Sequence, residues 1–228
     1  MPRSRQGPLI CFLSLAGAVP AHAQAVAIDH DAIRLTRVVT AVRIDGPIAL
    51  DGRLDEPAWR EAVPATDFIQ KFPDNGAPST ERTELRFLYD DENLYVGFTC
   101  FDSAPAKLLI KDLREDFEFG ATDLVQVFID SLHDKRSGFA FSVNPAGAKR
   151  DTQISNADRT NPDWDGVWDA KGSRDADAWY AEYAIPFKTL RFSSSSSQEW
   201  GVNASRKVLH KNEEVHWAPV PVRYAGTR

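Results

Sequence analysis

Alternating apolar residues, short apolar runs closed by turn residues, and almost no helical periodicity point to an all-β chain of the β-sandwich or jelly-roll type. The clearest stretch is TDLVQVFIDSLHDKRSGFAFSVNPAGAKRD, residues 122–151. Leu124, Val125, Val127, Phe128 and Ile129 form a dense apolar run, residues 131–138 make a polar connection, and Phe139, Phe141 and Val143 alternate with smaller residues. That is the pattern of a β-hairpin with one buried face. Asn144-Pro145-Ala146-Gly147 stops the second strand, because proline cannot donate to a ladder and glycine tolerates the positive φ of a turn.

The chain begins with a leader. Arg3 and Arg5 precede an apolar core over residues 9–19, and Ala21-His22-Ala23 before Gln24 puts small residues where a signal peptidase reads. Residues 1–23 therefore read as a secretory signal peptide, with an apolar run shorter than the ~20 residues that cross a bilayer. Its loss removes Arg3 and Arg5, so the formal net charge moves from −6 to −8. Nucleic acid is excluded as a partner on that balance, since its binding is largely phosphate neutralisation by clustered Lys and Arg. Cys11 leaves with the leader. Cys100 then stands alone, and its place in an alternating strand reads as a small buried residue.

Residues 24–40 read as a loose lead-in, residues 41–222 as one sandwich domain, and residues 223–228 as a tail, consistent with a truncated or separately cut domain. From Ala41 two short strands with Asp-Gly turns at 45–46 and 51–52 are expected, then a helical turn with Asp55 as N-cap, Pro57 in the first turn and Trp59 packed inward. Residues 68–72 suit a strand. Leu85, Phe87 and Tyr89 alternate into a turn at Asp90-Asp91-Glu92-Asn93, and Leu94, Val96, Phe98 and Cys100 alternate on the return. Further strands are expected at 167–171, 179–185, 200–208 and 215–220, with a five-serine loop at 193–197.

Chemistry is sparsely marked. No phosphate loop, dinucleotide fingerprint, nucleophile elbow or zinc-protease helix is present. The histidines left after processing, His30, His133, His210 and His216, include no i, i+4 pair. This argues against zinc and for exposed imidazoles. Asp90, Asp91 and Glu92 form an acidic hairpin tip that reads as a solvated turn or, more sharply, as part of a calcium site, since calcium takes carboxylate oxygens from loops. Asn161 to Asp169 mixes Trp164 and Trp168 with three carboxylates in or beside a polar loop. Sugar rings lay C–H faces on flat aromatics while carboxylates accept from their hydroxyls, so this cluster fits saccharide binding. Glycoside hydrolysis ranks lower, because it needs two carboxylates ~5–9.5 Å apart with one raised in pKa.

Several motifs taken in order, LDGRLDEPAW at 50–59, LYDDENLYV at 88–96, DLVQVFID at 123–130, FSVNPAG at 141–147 and WYAEYAIPF at 179–187, resemble family 9 carbohydrate-binding modules. The resemblance is nearest the variety found before outer-membrane β-barrels in bacteria. It implies a β-sandwich that binds oligo- or polysaccharide between aromatic side chains, needs no cofactor and often holds structural calcium. It implies one aromatic wall at Trp164 and Trp168 and another at Trp217. Arg114, Asp123 and Asn144 are placed to reach a polar ligand, although Asp123 and Asn144 serve equally to fix turns. The resulting expectation is an exported, noncatalytic carbohydrate-binding domain. The alternatives are a periplasmic interaction domain of an outer-membrane barrel protein and, lower, part of a glycoside hydrolase of carbohydrate catabolism.

Overall fold

A computed structural model describes residues 28–156 and 159–222, so the leader and the tail lie outside the described residues. Two sheets face each other. One runs β1 (Val42–Arg43), β3 (Thr83–Tyr89), β4 (Asn93–Phe101), β10 (Ala178–Pro186) and β9 (Asp169–Arg174). The other runs β2 (Ile69–Phe72), β12 (Glu213–His216), β11 (Gly201–Val208), β5 (Leu124–Asp130), β6 (Gly138–Val143), β7 (Lys149–Ser155) and β8 (Arg159–Asn161). Only β1 and β3 pair in parallel among the described strands.

Strict alternation builds the core. Val125, Val127 and Ile129 of β5 stand opposite Val143, Phe141 and Phe139 of β6 and all face inward. From the other sheet Leu85 and Phe87, then Leu94, Val96, Phe98 and Cys100, then Trp179, Ala181, Tyr183 and Ile185 meet them. The Tyr183 hydroxyl crosses the gap and donates to the carbonyl of Val125 at 3.3 Å. Burial pushes the Cys100 thiol up to about 12, which makes it an inert apolar side chain.

The sheets differ on their outer faces. The five-stranded sheet is covered by residues 44–62, which pack Ile44, Trp59 and Ala62 onto Leu88 and Tyr95. α2 (Pro57–Glu61) starts one residue later than Asp55 would cap it, since Glu56 holds the N-cap place and turns its carboxylate to the amide of Ala49 at 3.0 Å. Trp59 packs over Gly97, where an added Cβ would come within 2.8 Å of the indole. Beneath it Glu182 is fully buried, accepting from the amides of Asp51 and Gly52 at 3.0 Å and from the Trp59 indole N–H at 3.3 Å.

Four expectations change, the last strand, expected at 215–220, being β12 at Glu213–His216. The lead-in contains α1 (His30–Thr36), whose N-cap Asp29 accepts from the amide of Ala32 at 2.9 Å. Residues 48–50 form no strand; the Ala49 amide donates to the Glu56 carboxylate and the next amide with a carboxylate partner, that of Asp51, to Glu182. The strand expected at 167–171 starts only at Asp169, since Gly166 and Trp168 are held by Asp151 before it.

Two outcomes follow. Gly97→Ala forces the indole or Leu54 aside and should cost about 2 kcal/mol in urea unfolding, as overpacked cores do. Burial pushes Glu182 up to about 7 from 4.5, despite the three donors. A raised carboxyl stabilises the fold fully below about pH 4.5 and loses that contribution as pH rises through 7. Stability relative to Glu182→Gln should thus fall by roughly 3 kcal/mol between pH 4 and 8; a pH-independent difference would show that Glu182 does not titrate in that window.

Candidate functional site

The residues singled out by sequence do not assemble into one binding site. Trp168 is 2 % exposed, wedged between Phe141 and Tyr183 at ring separations of 5.0 and 5.5 Å, and its indole N–H donates to Asp151 at 2.8 Å. Trp217 is equally buried and follows β12, three strand spacings or ~14 Å from β6, where Trp168 packs. Neither offers a face to a ligand, and the two cannot form opposed walls. Trp164 is half-buried at the edge of the sandwich, on Phe139 and Phe141 at 4.9 and 6.1 Å and against Gly166. Core packing claims these rings because the strands beside them contribute the complementary phenylalanines.

The polar candidates hold backbone. Asp123 is fully buried, accepts from the amides of Leu109 at 2.7 Å and Leu209 at 3.1 Å, and is pushed up by that burial. Asn144 accepts from the amides of Ala146 and Ala148 at 3.0 Å and donates to the carbonyl of Asp112 at 2.7 Å. Arg114 is exposed and pairs with Asp112 at 3.2 Å. At the acidic tip, Asp90 is spent on its own turn. Burial, the largest single influence, opposes its ionisation, and the amides of Glu92 and Asn93 with the Tyr95 hydroxyl together outweigh it and pull it below the usual carboxylate range. Asp91 pairs through Oδ1 with Arg43 at 3.0 Å, and Glu92 takes part through its backbone amide, which donates to Asp90.

Register places a different set of side chains together, on the outer face of the seven-stranded sheet. Since Val125, Val127 and Ile129 point inward, Leu124, Gln126 and Phe128 point outward. Only one end of this face is covered among the described residues, where Phe117 packs on Leu124 and Ala148. Phe119 lies beside them under the guanidinium of Arg150 at 4.7 Å and near the ammonium of Lys207 at 5.7 Å.

The rest of this face is ordered in rows that cross the strands. His216, Ser205, Gln126, Ser142 and Arg150 are successive cross-strand partners, a polar row over five strands and ~19 Å long. Gln126 donates to the Ser142 hydroxyl at 2.7 Å. Ser142 and Ser205 are sunk, 1 % and 5 % exposed, so the half-exposed Gln126 and Arg150 carry contact with anything laid on the row. The next row, Asn203, Phe128, Ala140 and Thr152, is small except for the Phe128 ring. Asn203 is not free for a ligand, since its amide fastens Ala218 by bonds of 3.0 and 2.8 Å.

At the β12 end, charge gathers: Glu214 lies 2.9 Å from His216, 3.5 Å from Lys71 and 3.7 Å from Lys207. Burial works against ionising Glu214, and the His216 hydrogen bond with the charges of His216, Lys207 and Lys71 outweighs it, holding the carboxyl at about 2. Phe72, 41 % exposed, stands opposite Glu214 and under the Lys71 ammonium. Sequence reading missed this face because Gln126, Ser142 and Ser205 carry no motif; their relation appears only once five strands are in register. The expectation of exposed histidines fails here too, since His216 is 1 % exposed.

Comparison with known proteins agrees with this architecture. A family model described as carbohydrate family 9 binding domain-like matches residues 50–214. Among solved structures, a protein of Bacteroides uniformis ATCC 8492 put forward as carbohydrate-binding is similar at TM-score 0.63 and 11 % identity, over 82 % of this chain and 91 % of that one. A family 9 module of Caldicellulosiruptor kristjanssonii in complex with cellotriose is similar at TM-score 0.51 and 15 % identity, over 78 % and 82 %. The same description in complex with glucose gives 0.50 and 14 %, over 78 % and 85 %. No curated protein matches. With the family model spanning most of its length, the chain belongs to the carbohydrate family 9 binding domain-like family.

Proposed function

We propose that the protein is exported behind residues 1–23 and binds saccharide without cleaving it, on the open face of the seven-stranded sheet. The observation that carries this is the polar row His216, Ser205, Gln126, Ser142 and Arg150. A hexose ring is about one strand spacing long, so rings laid along the row meet the Gln126 amide and the Arg150 guanidinium over the sunken Ser205 and Ser142. Phe128 on one flank and Phe119 and Phe72 on the other supply apolar surface for ring C–H faces. The family membership, and the cellotriose and glucose held by its structural neighbours, support the same ligand class.

Binding is favoured over hydrolysis by the acids on this face. Asp130 and Glu214 are the outward carboxylates of its described strands; Asp130 stands opposite Gly201 and Glu214 opposite Lys207, about 20 Å apart along the strands. Hydrolysis needs a pair within ~9.5 Å. Asp130 is also committed to the amides of Asp134 and Lys135 at 3.2 and 2.7 Å, and Glu214 is held ionised rather than raised.

Calorimetric titration against a panel of soluble oligosaccharides tests the reading. Millimolar or tighter binding is expected, about 4 kcal/mol, with at least tenfold loss in Gln126→Ala and in Phe128→Ala and little change in Trp164→Ala. Loss confined to Trp164→Ala would move the site to the sandwich edge. Silence across the panel from a folded protein would overturn saccharide binding in favour of an interaction domain attached to an outer-membrane barrel.

A further inference from the structure

At the end of the sandwich away from the charged Asp130 turn, three ligand-type side chains converge from three segments. Glu81 precedes β3, Asp102 follows β4 and His210 lies in the turn after β11, and one ligand atom of each falls within 4.8 Å of the others. Both ring nitrogens of His210 and one carboxylate oxygen of Asp102 are buried without a hydrogen-bond partner, the His210 side chain being 8 % and the Asp102 side chain 1 % exposed. The imidazole Nε2 stands 3.6 Å from the Asp102 Oδ1, too far for a hydrogen bond. Asp102 Oδ1 accepts from the Ala104 amide, while Oδ2 and both imidazole nitrogens lack a partner; buried polar atoms left so are costly, and an ion held by the imidazole and the carboxylate would satisfy them.

We propose that Glu81, Asp102 and His210 form a site for a divalent transition ion of the zinc type. The donor set decides the class: imidazole suits zinc and its neighbours, whereas calcium takes oxygen alone. Second-layer support is already in place, as metal ligands require. The Ser103 amide and hydroxyl donate to Glu81, at 3.0 Å for the amide, and the Ala104 amide donates to Asp102 at 2.8 Å, fixing both carboxylates.

Charge is consistent with a dication. Lys211 is 28 % exposed and bonded to Glu81, so it occupies the ion's place as a movable cation. With Lys211 swung to solvent, Glu81, Asp102 and the nearby Asp123 face only the Arg206 guanidinium, 3.8 Å from Asp102, leaving two negative charges for the ion to balance. Asp102 also lines a hollow of about 490 Å³ with Pro105, Leu108, Arg174 and Trp179, which gives the ion an entry and leaves room for a water as fourth ligand.

The test is calorimetry and thermal unfolding of the chelator-treated protein with Zn²⁺, Mn²⁺ and Ca²⁺. One Zn²⁺ per chain at micromolar affinity or better is expected, raising Tm. His210→Ala should unfold at the same temperature or higher without metal, since it removes two unpartnered nitrogens, yet bind Zn²⁺ at least tenfold more weakly. Lys211→Ala should bind it as well or better, because the competing cation is gone; a site that is only an ion-pair network would instead lose stability there and gain nothing from Zn²⁺. Absence of stoichiometric Zn²⁺ binding, or unchanged affinity in His210→Ala, would overturn the proposal, as would Ca²⁺ binding more tightly than Zn²⁺.

Discussion

The period of two along β5 is the constraint on which this molecule rests. Its inward set, Val125, Val127 and Ile129, is matched residue for residue by Val143, Phe141 and Phe139, and a slip of one position would put those side chains in water and Gln126 in the core. Because β5 is central, its register passes to β11 through Ala204 and onward to β12 through Val215. The same alternation that closes the core therefore also draws the polar row on the other face.

An asymmetry between the two sheets decides where a ligand can reach. Glu182 is a buried acid at the outer side of β10, and its carboxylate organises residues 49–59 by taking two backbone amides and an indole N–H. That covers the five-stranded sheet with Trp59 and leaves its outer face apolar and closed. Among the described residues the seven-stranded sheet has no such anchor outward of its centre, so Gln126 and Phe128 there remain half-exposed. A costly buried carboxylate on one sheet and an uncovered face on the other belong to one arrangement.

Tryptophan illustrates how composition misleads. Six are present, and the pairing of two with acids at 164–168 has the look of a ligand-binding loop. In the fold, Asp151 from β7 takes the Trp168 indole N–H and the Gly166 amide together, so an acid 17 positions away in the chain, outside the loop itself, is the one that fixes the buried ring. Asp123 and Asn144 are similar: both were readable as turn-fixing residues, and both spend their polar atoms on backbone of the 109–112 and 146–148 segments.

Local pattern alone determined the class of fold, the two central hairpins, the burial of Cys100 and the inward faces of β3, β4, β5 and β6, because strand alternation is written residue by residue and burial follows it directly. The polar row, the choice of Trp168 and Trp217 as core, and the meeting of Glu81, Asp102 and His210 were settled only by tertiary structure. Each joins residues from strands or turns far apart in the chain, and the distance between them is fixed by sheet order and register, which no single stretch of sequence contains.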